Sequence, residues 1–131
     1  MNISKFTQKS VEAINDCEKL AYEYGNQEIE QEHLLVALLR QEDGLILKLI
    51  EKMEINKEYF LNSAESKLAE RVKVSGGQVY IGQDLNKVLI SAEDEAKRMG
   101  DEYVSVEHLF LTLLKYPNKA MKELFKEFGI T

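Results

Sequence analysis

The chain has 131 residues, of which 44% are hydrophobic and 31% charged, so it has the length of about one globular domain that folds without disulfides or metal. Its formal net charge is −6 and no cluster of Lys and Arg is present, which argues against nucleic-acid binding. The start MNISKFTQKS is not a signal peptide, residues 34–39 are too short an apolar run to span a membrane, and the single cysteine, Cys17, favours a reducing cytoplasm.

The first predicted helix lies within residues 7–25. Apolar residues from Val11 to Tyr24 form a wide stripe at helical spacing, and Cys17 lies on this stripe as a small core hydrophobe. Thr7, just before the stripe, is a good N-cap, and Gly25 is a residue type that ends helices in the left-handed conformation. We therefore expect a helix that begins after Thr7 and ends at Gly25.

Three further helices are predicted before residue 72. The first contains EHLLVALL (32–39) and is apolar nearly all round, which predicts a central, buried helix. Glu30 is expected to cap it less well than Ser105 caps its counterpart in the second half of the chain. A short amphipathic helix follows at 45–53. The fourth begins at an Asn56 cap and continues to about Arg71.

Residues 72–82 are predicted to link the two halves of the chain as a loop. Gly76 and Gly77 interrupt regular structure there. The loop also contains Val79, Tyr80 and Ile81, an apolar stretch without helical periodicity. These residues either expose apolar side chains or fill the interface between the two halves.

After residue 82 the same order of elements is predicted again. A helix ends at Gly100, a second one contains EHLFLTLL (107–114) after a Ser105 cap, and an amphipathic helix covers 120–128. With a shift of 75, eleven of the fifty pairs between 6–55 and 81–130 are identical, against about three expected by chance. The chain is therefore an internal duplication, with repeat one at 1–71 and repeat two at 83–131.

The predicted fold is all-α: one domain of residues 1–131, built from a four-helix repeat and its duplicate around a pseudo-twofold axis. Thr131 corresponds to Asn56, the cap of the fourth helix of repeat one. The fourth helix of repeat two is therefore expected to be truncated, and the parent chain to continue.

The pairs Glu32-His33 and Glu107-His108 do not form a metal site, because adjacent helical residues point about 100° apart and no further ligand follows at helical spacing. His33 and His108 are interpreted as core histidines that bind a backbone carbonyl. Each glutamate lies in a first helical turn and is expected to face solvent, either as a helix-start charge or as a carboxylate for a cationic ligand group. Asp101 belongs to the same neighbourhood.

No catalytic triad, phosphate-binding glycine loop or CxxC pair is present in the sequence. We therefore expect no catalytic residue, no metal and no cofactor in this chain. An enzyme that uses the Glu-His pairs is the weakest of the functional hypotheses.

Four tracts of the chain resemble the N-terminal domain of the Clp chaperone ATPases: NISKFTQKS, EIEQEHLLVALLRQEDG, VSGGQVYIGQDLNKVL and EAKRMGDEYVSVEHLFLTLL. The resemblance covers essentially the whole chain and favours the disaggregases over the protease-linked members. It implies a mobile domain above a hexameric ring of ATPase modules, where ATP and Mg²⁺ would bind outside this chain. It also implies unfolded or aggregated polypeptides as clients and a partner refolding chaperone system.

The resemblance also implies site residues. In disaggregase-like members, the positions of Thr7, Asp101 and Glu107 are tied to chaperone function. In protease-linked members, the positions of Glu32 and Glu107 hold the guanidinium of phosphorylated arginine. Gly82 stands where that second pattern has a threonine, so the chain departs from it there.

Two repeats related by a pseudo-dyad are expected to leave a groove between their first helices, floored by the linking loop. The residues expected to line it are Ile3, Thr7, Val79, Tyr80, Ile81 and Leu85. Exposed apolar surface marks an interaction site, so the predicted function is binding of apolar client segments by a monomeric, non-catalytic domain. The alternative is adaptor docking or phosphoarginine binding.

Overall fold

A computed structural model describes residues 3–130, and the helices begin and end close to the predicted positions. Repeat one contains a 3-10 turn (Ile3–Lys5), α1 (Gln8–Tyr24), strand β1 (Glu28–Ile29), α2 (Gln31–Arg40), α3 (Leu45–Lys52) and α4 (Lys57–Ala69). The linking segment then enters strand β2 (Tyr80–Ile81), and repeat two contains α5 (Gln83–Arg98), α6 (Val106–Lys115) and α7 (Lys119–Glu127). Within residues 3–130, repeat two therefore has three helices against four in repeat one, and the all-α prediction is confirmed.

Local capping explains where α1 and α4 begin. The Thr7 hydroxyl oxygen accepts a hydrogen bond from the Ser10 N–H (N···O 3.2 Å), and the Asn56 side-chain oxygen accepts one from the Tyr59 N–H (2.9 Å). At the other end of α1, Gly25 has φ +70°, the left-handed conformation that glycine adopts without steric cost. All three positions follow from short-range sequence signals.

The helices α2 and α6 share a second capping arrangement, in which a histidine accepts a hydrogen bond from the backbone of the cap residue. The His33 Nδ1 atom accepts from the Glu30 N–H, and the His108 Nδ1 atom accepts from the Ser105 N–H, each at 2.9 Å. The Glu30 carboxylate in turn accepts from the Gln31 N–H at 3.1 Å. Both helices therefore have a capping box, so the expected difference between Glu30 and Ser105 is not observed: the longer Glu30 side chain folds back onto the helix start.

Helix α2 lies at the centre of the molecule, as its apolar sequence predicts. All residues from Gln31 to Leu39 are buried, and the helix packs against α1 and α4 of repeat one and against α5 and α6 of repeat two. Cys17 of α1 is also buried, and this burial raises the pKa of its thiol well above the usual range. The core is therefore continuous across both repeats.

Two short parallel pairings connect the repeats in a reciprocal way. Strand β2 pairs with β1 so that Ile81 is opposite Ile29, and an isolated bridge places Phe6 opposite Val104. The shift of 75 relates Phe6 to Ile81 and Ile29 to Val104. The segment before the first helix of each repeat therefore pairs with the connection between the first two helices of the other, as a pseudo-twofold axis requires.

Candidate functional site

An apolar cleft with a volume of about 310 Å³ lies between α1 and α5, the first helices of the two repeats. Its floor is the end of the linking segment. The side chains that line it include Ile14 of α1, Val79, Tyr80 and Ile81 of the linking segment, and Leu85 and Leu89 of α5. Four residues expected to line a groove, at positions 79, 80, 81 and 85, thus meet in one place.

Backbone hydrogen bonds hold Tyr80 and Ile81 at this cleft. The Tyr80 N–H donates to the Gln27 carbonyl oxygen (2.9 Å), and the Gly82 N–H donates to the Ile29 carbonyl oxygen (2.8 Å). Despite this fixed backbone, the Tyr80 side chain is 53% exposed and that of Ile81 is 41% exposed. Two residues that only filled an interface would be buried, so their exposure favours a binding role.

Leu85 lines the cleft and also belongs to the hydrophobic core, where it is only 2% exposed. Val79 is half-buried and packs against the same core. The cleft therefore combines buried or half-buried lining residues with two exposed ones, Tyr80 and Ile81. Such a shape suits an extended apolar segment rather than a reaction centre.

Ile3 and Thr7 are located elsewhere and are not among the residues that line the cleft. Ile3 is exposed in the 3-10 turn, and the Thr7 N–H donates to the Val104 carbonyl oxygen at 3.0 Å. The N-terminal segment pairs with repeat two through Phe6 and Val104, whereas β2 pairs with β1 of repeat one. Their role in substrate binding remains a prediction.

Asp101 and Glu107 lie together at a second cavity of about 400 Å³, beside the start of α6. Glu107 is exposed, as predicted, and has no hydrogen-bond or ion-pair partner among residues 3–130. Exposed apolar side chains surround it, namely Met99, Tyr103 and Leu111. The cavity therefore combines a free carboxylate with apolar surface.

The two histidines are structural, but their partners are not the backbone carbonyls that the sequence suggested. The His33 Nε2 atom lies 2.9 Å from the Asn26 side-chain oxygen, and the His108 Nε2 atom lies 2.8 Å from a carboxylate oxygen of Asp101. Burial, together with the charge of Arg71, lowers the pKa of His33 to about 4. His33 is therefore a neutral core residue at physiological pH.

Glu32 differs from its counterpart in repeat two. Glu32 is only 3% exposed, and one carboxylate oxygen lies 2.8 Å from the Arg71 guanidinium while the other accepts from the Asn118 side-chain amide, also at 2.8 Å. The prediction that Glu32 faces solvent is therefore wrong. Its partners lie 39 and 86 positions away in sequence, so no local pattern indicates them.

Glu30 is buried and binds the start of α5 in repeat two, a role that the sequence analysis did not predict. Its carboxylate accepts from the Asp84 N–H (3.1 Å) and the Leu85 N–H (2.7 Å), which are in the first turn of α5. The cap residue of α5, Gly82, has no side chain, and a Cβ there would overlap the Glu30 carboxylate. Glu30 thus caps a helix in each repeat, and burial raises its pKa to about 7.

Within residues 3–130, no group of three His, Cys, Asp or Glu side chains is arranged to hold a metal ion. No helix in the same part of the chain has the length and apolarity needed to cross a membrane.

Comparison with known proteins identifies one family. The model of the "Clp repeat (R) N-terminal domain" matches residues 5–128. The chaperone protein ClpB of Nitratidesulfovibrio vulgaris is 41% identical over 100% of this chain, and ClpB of Porphyromonas gingivalis is 39% identical over 100%. The chain spans only 16% and 15% of those two relatives.

Solved structures share the fold at low sequence identity. The Hsp104 N-terminal domain from Candida albicans has a TM-score of 0.85 and 23% identity, covering 97% of this chain and 83% of that one. A ClpV N-domain in complex with a VipB peptide has a TM-score of 0.76 and 19% identity, covering 96% of this chain and 80% of that one. Both similarities show that this chain shares the fold of these domains.

Proposed function

Because this chain belongs to the Clp repeat N-terminal domain family, which includes ClpB chaperones, we propose that it is the substrate-recognition domain of an ATP-dependent disaggregase. It binds exposed apolar segments of unfolded or aggregated proteins in the cleft between α1 and α5. The observation that carries this proposal is the exposure of Tyr80 and Ile81 at the edge of an apolar cleft, on a backbone fixed by strand pairing.

The physical chemistry of this cleft favours weak, reversible binding. Burial of apolar surface contributes roughly 25 cal/mol per Å². An unfolded client must also lose conformational freedom when it binds, which offsets part of that gain. We therefore expect micromolar or weaker affinity, which suits a domain that passes its client onward.

The parent protein is proposed to be longer than this chain, since the ClpB relatives are far longer, and to be a cytoplasmic hexamer, as the resemblance to the Clp chaperone ATPases implies. Its ATPase modules would bind ATP and Mg²⁺, and this domain would be non-catalytic and monomeric when isolated. A partner refolding chaperone system would act on the released client.

Replacement of Tyr80 by Ala tests the proposed function. A permanently unfolded, apolar peptide carrying a fluorophore is titrated with the wild-type domain and with Tyr80→Ala, and binding is followed by fluorescence anisotropy. Because Tyr80 provides exposed aromatic area at the cleft, we expect the variant to bind about tenfold more weakly, or roughly 1.4 kcal/mol.

Tyr22→Ala is the matched control, because Tyr22 is an exposed tyrosine of α1 that does not line the cleft. We expect it to bind the peptide as the wild type does. Unchanged affinity in Tyr80→Ala would show that clients bind elsewhere on the domain.

The exposed carboxylate of Glu107, beside exposed Tyr103 and Leu111, favours adaptor docking or phosphoarginine binding as a second candidate. The ClpV relative that was solved with a VipB peptide supports peptide docking on this fold in general. A titration with phosphoarginine, followed by amide chemical shifts, distinguishes the two functions. Saturable shifts around Glu107, lost in Glu107→Gln, would favour this second candidate.

A further inference from the structure

The two first-turn glutamates are equivalent in sequence but not in environment. Glu32 and Glu107 are related by the shift of 75, and so are Asn26 and Asp101, which bind the neighbouring histidines. Yet Glu107 is exposed, whereas the Glu32 carboxylate is buried. Two side chains cover Glu32, those of Asn118 and of Arg71 at the end of repeat one, and Arg71 is the one that carries a charge.

Arg71 inserts its guanidinium between two carboxylates. Its Nη1 atom lies 2.8 Å from a Glu32 oxygen, and its Nη2 atom lies 2.6 Å from a Glu28 oxygen. The Asn118 amide donates to the remaining Glu32 oxygen. Arg71, Glu28 and Glu32 line a surface cavity of about 440 Å³, which we call the repeat-one pocket. The other cation that lines it, Lys67, is paired with Glu123 at 2.9 Å.

The carboxylates of the repeat-one pocket are arranged to bind a guanidinium group. A buried carboxylate without a cation is strongly unfavourable, and the planar fork of a guanidinium matches two carboxylates better than an ammonium does. Removing the Arg71 side chain would leave Glu32 and Glu28 facing a cavity that is open to solvent. An arginine side chain from another molecule would then satisfy them in the same geometry.

We propose that Arg71 is a built-in occupant of the repeat-one pocket that excludes the arginine side chains of other chains from Glu32. A cationic client group is thereby confined to the repeat-two side of the domain. Tyr80 lines both this pocket and the apolar cleft, but the ion pairs of Arg71 involve neither Tyr80 nor Glu107.

The position of Arg71 in the chain makes it a strong competitor. It follows α4 directly, and the residues after it are fixed, because the Asn26 amide donates to the Val72 carbonyl oxygen (3.0 Å) and the Val74 N–H donates to the Gly25 carbonyl oxygen (2.9 Å). A group tethered in this way has an effective concentration of about millimolar or higher. A free arginine side chain at lower concentration cannot displace it.

Capped arginine, N-acetyl-L-arginine amide, tests the proposal, with binding followed by ¹⁵N–¹H amide shifts. In the wild-type domain we expect no saturable shifts at Glu28, Glu32 or Asn118. In Arg71→Gln we expect saturable shifts there, at capped-arginine concentrations at least tenfold below the highest one that leaves the wild type unchanged. The double variant Arg71→Gln/Glu32→Gln is expected to lose this binding again.

Arg40→Gln is the matched control, because Arg40 also binds two carboxylates, those of Glu65 and Glu23, but does not line the repeat-one pocket. It is expected to behave as the wild type does. Equal binding by the wild type and Arg71→Gln at Glu32 would overturn the proposal. So would a folded Arg71→Gln variant that does not bind capped arginine.

A measurement on the wild type keeps the proposal testable if Arg71→Gln does not fold. The guanidinium NMR signals of Arg71 are recorded with and without capped arginine, which is kept below the effective concentration of about millimolar that the tethered group has. We expect them to remain those of a hydrogen-bonded, immobilised group. A shift of these signals to the positions of a free arginine would show that Arg71 is displaced, and the proposal would be wrong. The probe has no apolar side chain, so this outcome is separate from that of the peptide titration.

Discussion

Glu30 shows how much one side chain contributes at the interface between the repeats. It accepts backbone hydrogen bonds from both α2 and α5, so the start of each helix depends on the same carboxylate. Gly82 allows this, because any larger residue would occupy the space of that carboxylate. Glu30, which the sequence suggested was the weaker cap, therefore caps two helices, one in each repeat.

The pKa values of Glu30 and His33 predict opposing effects of pH on stability. The pKa of Glu30 is raised by burial from 4.5 to about 7, so its contribution favours folding at low pH and is lost as the pH rises towards 7. The pKa of His33 is lowered from 6.5 to about 4, chiefly by burial, so its contribution is present above pH 6.5 and is lost as the pH falls towards 4. Between about pH 4.5 and 6.5 the two contributions largely cancel in the wild type.

Glu30→Gln removes one of the two contributions. Relative to the wild type, we expect its free energy of unfolding to fall more steeply as the pH is lowered from 7 to 4.5, by up to about 1.4 kcal/mol per pH unit. Chemical denaturation at a series of pH values measures this. His33→Asn should change the slope in the opposite direction, and parallel curves for Glu30→Gln and the wild type would contradict the assignment.

At the scale of elements, α4 of repeat one contacts α7 of repeat two through aromatic rings. Phe60 is fully buried and meets the ring of Phe128 edge to face, with centroids 5.0 Å apart and planes at 83°. Tyr59, the next residue of α4, is exposed and meets the same ring at 5.3 Å. Neighbouring residues of one helix therefore contribute very differently to this packing.

Phe60→Ala is expected to lower the free energy of unfolding by about 3–5 kcal/mol, because it leaves a cavity in the core. Tyr59→Ala is the matched control, and we expect a loss of about 1 kcal/mol or less, since its side chain is already largely in water. Urea denaturation followed by circular dichroism compares the two variants. Similar losses in both would show that α4 does not pack as described.

The helices could be predicted from the sequence, whereas the short strands could not. Caps such as Thr7, Asn56 and Ser105 act on N–H groups three residues away, so local sequence carries the signal. Strands of two residues have no periodicity to detect, and their partners lie about 50 positions away. The candidate site follows the same rule. The apolar stretch 79–81 could be read from local sequence, whereas the burial of Glu32 depends on Arg71 and Asn118, which are distant in sequence.

For the molecule as a whole, the repeats form one structural unit rather than two. The buried side chain of Gln31 shows this, because its amide donates to the carbonyl oxygens of Asp84 (3.1 Å) and Tyr116 (2.9 Å) and accepts from the Asn118 N–H (2.8 Å). All three partners belong to repeat two. Loss of repeat two would leave these groups, and the apolar face of α2, exposed to water.

We therefore predict that residues 1–71 alone are largely unfolded at low micromolar concentration, whereas residues 1–131 unfold in a single transition. Far-ultraviolet circular dichroism and urea denaturation of both chains measure this. A cooperative transition in 1–71 alone would show that repeat one has sufficient core of its own.

The reciprocal pairing of Phe6 with Val104 and of Ile81 with Ile29 has a consequence for assembly. The backbone that connects the two halves is the segment around Gly76 and Gly77, which we call the hinge. If that hinge were extended, the two halves of one chain would separate, and each half could make the same contacts with the complementary half of a second chain. The length of the hinge therefore helps to decide whether the chain folds as a monomer or as a domain-swapped dimer.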